Sequence, residues 1–381
     1  MAWSDLIPDI LRLISDRLHH CFDYINFRMV CTDWRSAVPP KKFAPLLILP
    51  PEPNLGDLLY FDPADGGVHS LPLPEEARNK SFCGTSRGWL ALMDDATVSM
   101  LLVNPFTPDV VYPLPPTPQR VYFTSHPKDP SRGRWITQHE CINEIVMSAS
   151  PNAGAECVVM GRLGSCDQLV FCRPGDAVWT DVDTHYEIDG VAFCDGRFYA
   201  LDRNGNILII EMDPDGRNVA FKETVVVPFE SKQYKFLEWN GELLVVGISF
   251  QPIYEDDDED DDDDDDDGDD DLGPFIFKSE GLGEGLTLSE MESLGENTLF
   301  VSENHCFGYV GRGVHGCKRN CIYLSGTAFD GLEGVHDINI MNLEDGASEI
   351  VWCRWPSQRS GLPRESSQHS GAFFWFRPSF Y

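Results

Sequence analysis

Apolar residues recur at helical spacing from Ile7 to Leu18. Ile7, Ile10, Leu11, Ile14 and Leu18 fall three or four positions apart, which lines them along one face of an α-helix. Pro8 suits the first turn of that helix, where its missing N–H costs nothing. Asp23 is positioned to cap a second short helix carrying Tyr24, Phe27 and Val30, and Thr32 a third carrying Trp34 and Val38. Three short helices in roughly 40 residues bury too little apolar surface to hold a core alone. The module is therefore expected to lean on a partner or on the rest of the chain.

Past Pro39-Pro40 the period changes. Short runs rich in Val, Ile, Phe, Tyr and Leu are broken by Gly, Asp, Asn and Pro, and no long helical pattern returns. Several runs share one form, an apolar stretch, a Gly or Asn turn, then a strand: "VAFCDGRFYALDRNGNILII", "FLEWNGELLVVG", "LGENTLFVSE" and "KRNCIYLSG". With one polar insertion set aside, their turns at Gly196, Gly241 and Asn297 recur every 40 to 50 residues or so, the period of a β-propeller blade of short strands. The pattern predicts a mainly β chain, a propeller of about six to eight blades over 45–381 behind a small three-helix module over 1–40.

That insertion changes the reading of the charge. The formal net charge is −33, but 16 acidic residues crowd into the 17 positions from Glu255 to Asp271, so about half of the acidity is one segment. Like charges with nothing apolar to bury cannot fold on themselves, and 255–271 is expected to be a disordered loop between blades. An acidic chain lacks the clustered Lys and Arg that phosphate binding needs, so no nucleic-acid partner is expected. Hydrophobic residues make up 42% of the 381, enough for a substantial core, yet no run of about 18 apolar residues exists to span a membrane. The opening "MAWSDLIPDI" has no cationic stretch ahead of an apolar one, which points to the cytoplasm or nucleus. The 12 cysteines are scattered without a C-x-x-C pair and read as reduced, mostly buried thiols.

The first 40 residues resemble an F-box. Ile7-Pro8 stands where that motif usually has Leu-Pro, and Ile10, Leu11, Ile14, Leu18, Phe27, Val30-Cys31 and Trp34 follow in order, closing with "VCTDW". The remainder is similar to plant F-box proteins with a KIB-type β-propeller, a kelch-like family. The matching stretches are "GTSRGWLAL", "LLVNPFTPDVVYPLPP", "DGRFYALDRNGNI", "WNGELLVVG", "SLGENTLFVSENHCFG", "RNCIYLSG" and the terminal "WFRPSF". The resemblance implies a non-catalytic substrate receptor of a Skp-cullin-F-box ubiquitin ligase. Ile7, Pro8, Ile10, Leu11, Ile14, Val30 and Trp34 would then dock a Skp-type adaptor and, through it, a cullin, while the propeller captures a target protein. The alternative is a propeller that binds and blocks a partner without assembling a ligase.

Other motifs compete weakly with that reading. Gly84-Thr85-Ser86-Arg87-Gly88 fits the G-x-S-x-G elbow of a hydrolase, but "WLALMDD" follows, which reads as a strand where a nucleophile elbow needs a helix. His69 and His126, the nearest histidines, offer no evident partnership with Ser86. His305, Cys306, His315, Cys317 and Cys321 lie within 17 residues, yet they lack paired zinc-ligand spacing apart from a loose Cys317-x₃-Cys321. Asp181, Asp183 and His185 read as the dressing of a turn after Trp179. "GLGEG" at 281–285 lacks the Lys and following helix of a phosphate loop and reads as a flexible return from the acidic run. No catalytic residue, cofactor or metal is expected.

Overall fold

The computed structural model describes residues 6–41, 43–49, 56–94, 96–107, 109–126, 129–139, 142–163, 168–213, 219–229, 231, 234–247, 274–302, 305–310, 317–325, 335–354 and 374–378. The acidic run 255–271 and His315 lie outside them, as do the side chains of 120–141 and of His305 and Cys306.

Three helices open the chain: α1 (Pro8–Ser15), α2 (Cys21–Met29) and α3 (Thr32–Ala37). Each differs in detail from the expected pattern. α1 stops at Ser15 because the chain tightens there, with Arg17 and Leu18 N–H groups donating to the Ile14 and Ser15 carbonyls three residues back. His20 rather than Asp23 is the N-cap of α2, leaving Asp23 in the first turn, where its charge favours the helix dipole. Cys31 is the N-cap of α3, so Thr32 is its first helical residue.

The rest is a six-bladed β-propeller. Blade 1 contains β1 (Leu46–Ile48), β2 (Leu58–Asp62) and β3 (Gly67–Leu71); blade 2 contains β4 (Ser81–Ser86), β5 (Trp89–Met93), β6 (Met100–Val103) and β7 (Val111–Leu114). A separate two-stranded ribbon, β8 (Gln119–His126) and β9 (Asp129–His139), precedes blade 3, which holds β10 (Ile142–Met147), β11 (Val159–Leu163), β12 (Leu169–Cys172) and β13 (Thr180–Asp181). Blade 4 is β14 (Ile188–Cys194), β15 (Arg197–Asp202), β16 (Asn206–Met212) and β17 (Val219–Val226); blade 5 is β18 (Tyr234–Trp239), β19 (Glu242–Gly247), β20 (Phe275–Glu280) and β21 (Thr287–Glu290). Blade 6 has five strands, β22 (Asn297–Ser302), β23 (His305–Val310), β24 (Cys321–Ser325), β25 (Val335–Asn342) and β26 (Ser348–Arg354). The closing strand β27 (Phe374–Phe376) returns to pair antiparallel with β1.

The sequence turns explain most of this. Asp195-Gly196 and Asn240-Gly241 take positive φ at both positions, the geometry that folds two strands back without splaying their twist. They join β14 to β15 and β18 to β19. Asn297 differs: it begins β22, which runs parallel to β24 because β23 is folded back as an extra strand beside it. The recurring unit therefore breaks in blade 6. "GLGEG" differs as well. It is the ordered turn between β20 and β21, in which the Gly283 N–H donates to the Tyr199 hydroxyl at 3.2 Å.

Apolar packing follows the ring, one cluster at each seam between neighbouring blades. Because alternate strand residues face opposite sides, β27 serves two seams. Trp375 points toward blade 6, with its ring 4.9 Å from Phe300, and its N–H donates to the Val301 carbonyl at 3.1 Å. Phe374 and Phe376 point toward blade 2 and join the cluster that also takes in the helices. Among the described residues no helix is long and apolar enough to cross a membrane.

Candidate functional site

The helical module is seated over the seam of blades 1 and 2. Leu11, Cys21, Tyr24, Ile25, Trp34 and Val38 share one core with Leu58, Tyr60, Leu92, Phe106 and Phe376. Phe22 packs its ring 5.3 Å from Tyr60 and 5.0 Å from Phe106. Polar ties brace the module itself: the Tyr24 hydroxyl donates to the Pro39 carbonyl at 2.6 Å, Arg28 Nε to the Val38 carbonyl at 3.1 Å, and Lys41 Nζ to the Leu18 carbonyl at 3.1 Å. The expectation that three short helices need outside support is met within the same chain.

Seating one face leaves another free. Ile7 is 60% exposed, Leu13 54%, Met29 56% and Val30 57%, and Ile10 and Pro8 are exposed beside them. Ile14 is half-buried at the edge of this patch. On a helical wheel Ile10, Leu13 and Ile14 form one arc of α1, while Leu11 and Ser15 lie to one side of it, turned into the core. So the structure divides the seven residues proposed from sequence. Ile7, Pro8, Ile10, Ile14 and Val30 reach the surface, whereas Leu11 at 2% exposure and Trp34 at 7% are spent on internal packing, Trp34 against Phe27 at 4.5 Å. Leu13 and Met29 complete the patch. Both flank apolar positions predicted from sequence, Leu13 beside Ile14 and Met29 beside Val30.

Ser86 sits at the end of β4, and Arg87 and Gly88 take positive φ to turn directly into β5. The site is strand–turn–strand. Ser86 Oγ accepts the Met147 N–H at 3.0 Å and Arg87 Nε donates to the Met147 carbonyl at 2.7 Å, so both side chains lace blade 2 to the inner strand of blade 3. His69 lies elsewhere, with Asp65 at 2.9 Å. Cys317 and Cys321 serve packing: burial pushes the Cys317 thiol up to about 12, and the Cys321 thiol donates to the Arg319 carbonyl at 3.1 Å. Asp181, Asp183 and His185 are exposed, and the His185 ring lies 4.1 Å from that of Tyr186.

Two charged clusters escaped the sequence reading. Near the inner strands, Glu144 on β10 and Arg162 on β11 pair at 3.1 Å while both are buried. Burial raises the Glu144 carboxyl above its ordinary range even though Arg162 and Lys235 pull it down. Where α2 meets blade 1, His20, Asp65 and His69 bring three ligand-type atoms within 4.8 Å of one another. His20 stands more than 40 residues from Asp65 and His69, a separation over which a sequence carries no mutual signal.

A family model described as the KIB1-4 beta-propeller matches residues 60–347. The chain belongs to this family. An F-box domain model matches residues 3–43, covering all three helices of this KIB1-4 propeller protein. Among curated proteins it is 31% identical to the F-box protein SKIP23 of Arabidopsis thaliana over 64% of this chain and 63% of that one. It is 25% identical to the putative F-box protein At5g55150 of the same plant, over 55% of this chain and 57% of that one. The chain thus spans under two thirds of the length of these two relatives. The F-box/kelch-repeat protein At1g57790, also from Arabidopsis thaliana, is 23% identical over 87% of this chain and 86% of its own length.

Proposed function

We propose that this KIB1-4 propeller protein is the substrate receptor of a Skp-cullin-F-box type ubiquitin ligase, resident in the cytoplasm or nucleus. The F-box docks a Skp-type adaptor, the adaptor joins a cullin, and the propeller holds a target protein while other subunits transfer ubiquitin. The observation that carries this reading is the apolar patch of Ile7, Pro8, Ile10, Leu13, Met29 and Val30 on a module whose opposite face is already packed on the propeller. Exposed apolar side chains gathered on one small module mark an interaction site, and its seat makes the propeller a rigid arm.

In this arrangement Ile7, Pro8, Ile10, Ile14 and Val30 touch the adaptor, and Leu11 and Trp34 hold them in place from beneath. The test is adaptor capture by the full chain with Ile10→Glu and Val30→Glu together, each charge placed on exposed surface. Capture of adaptor and cullin should be lost while the denaturation midpoint stays within a few degrees. Recovery of adaptor at the intact level by the folded double variant refutes the docking assignment. Target proteins should accumulate, under proteasome inhibition, on a chain that lacks adaptor binding.

A further inference from the structure

His20, Asp62, Asp65 and His69 meet where the helical module rests on blade 1. His20 is the N-cap of α2, Asp62 ends β2, Asp65 lies in the β2–β3 turn and His69 is in β3. His69 Nε2 stands 2.9 Å and His20 Nε2 3.6 Å from the same oxygen, Asp65 Oδ2. The two imidazole rings are 5.3 Å apart at 61°. Three atoms around a tetrahedral zinc ion, each about 2.0 to 2.1 Å from the metal, lie about 3.3 Å from one another. The two nitrogen–oxygen spacings bracket that value, and all three atoms lie within 4.8 Å of one another.

The surroundings prepare these atoms for a metal. Asp65 Oδ1 is engaged by the Gly67 N–H at 2.8 Å, which leaves Oδ2 as the oxygen turned to both histidines. Asp62 is buried, with Oδ1 fixed by the Ala64 N–H at 2.8 Å, and its Oδ2 stands 3.4 Å from His20 Nδ1. A carboxylate behind one ring nitrogen sets the tautomer and points the other nitrogen's lone pair outward, as in carboxylate–histidine–metal sites. The His69 ring stacks on Tyr60 at 5.5 Å, so it too is held. Gly67 keeps the space clear: a Cβ there would stand 3.1 Å from both Asp65 Oδ1 and His69 Nε2. His20, Asp65 and His69 remain partly exposed, which gives water access to a fourth position. Two carboxylates facing two imidazoles favour a dication, and the imidazole-carboxylate set suits zinc-class ions over calcium or magnesium.

We propose that His20, Asp65 and His69 form a zinc-class divalent metal site, with Asp62 as its outer support, that staples the helical module to blade 1. This does not depend on the ligase role. The test uses the purified full chain stripped with chelator. Zinc is titrated in competition with a chromophoric chelator, cobalt is titrated by visible absorption, and thermal unfolding is followed with and without zinc. One equivalent should bind with a rise in melting temperature, and cobalt should give a tetrahedral spectrum without a thiolate charge-transfer band. His69→Ala should abolish the shift, and Asp62→Asn should weaken zinc by about tenfold or more. His20→Gln, which keeps a polar side chain of similar reach, guards against misfolding and should also abolish it. A thiolate band, binding unchanged in both histidine variants, or no zinc-dependent shift would each overturn the proposal.

Discussion

Replacing Trp375 by alanine tests whether the ring is closed by the strand the structure assigns. The side chain is fully buried between blades 1 and 6. A tryptophan buries about 200 Å², worth about 5 kcal/mol at about 25 cal/mol per Å². Losing the indole bond to the Val301 carbonyl adds about 1 kcal/mol. Partial collapse of Phe300 and Tyr323 into the gap recovers some of this, so Trp375→Ala should cost about 3 to 5 kcal/mol. Trp375→Phe keeps most of the volume and loses the N–H, for about 1 to 3 kcal/mol. Denaturant unfolding followed by far-UV circular dichroism gives both numbers. A loss under about 1 kcal/mol for the alanine variant would mean that β27 does not carry the closure. Equal losses for the two variants would assign the effect to the hydrogen bond and refute the packing argument.

Three further outcomes are expected. Leu11→Ala should destabilise by about 2 to 5 kcal/mol, whereas the exposed Ile10→Ala should cost under about 1 kcal/mol and act on adaptor capture; equal stability losses in denaturant would refute the division of α1 into two faces. Arg162→Met leaves Glu144 buried without its ion-pair partner and should cost about 3 to 5 kcal/mol near neutral pH. Since the folded Glu144 carboxyl titrates above its unfolded value, protonation favours the fold, so this deficit should shrink as pH falls toward the ordinary carboxylate range; a pH-independent deficit would refute it. Ser86→Ala should cost about 1 kcal/mol through the lost Met147 contact and leave labelling by a fluorophosphonate probe unchanged, and a probe adduct lost only in that variant would assign it a nucleophile.

What the sequence disclosed was local. Ile7 to Ile14 announced α1 because helical spacing needs only neighbours, and Asp195-Gly196 and Asn240-Gly241 announced hairpins because a two-residue turn is self-contained. The end of α1 and the caps of α2 and α3 shifted by a few positions, since capping depends on which backbone groups the tertiary seat leaves open. The parallel pairing of β22 with β24 and the return of β27 to β1 rest on contacts between separated segments, for which periodicity holds no record. The exposed apolar patch was half legible. Periodicity marks a residue as apolar-faced but does not say whether that face meets its own chain or another, which is why Leu11 and Ile10 looked alike.

The seat of the helices also has a consequence in time. Residues 8–37 leave the ribosome long before Phe374 and Phe376, which line part of the core beneath them. An unfinished chain therefore displays its helices on a floor that lacks its closing strand. Any truncation upstream of residue 374 removes packing far from it in the sequence, so the helical module and the closure of the ring are impaired together.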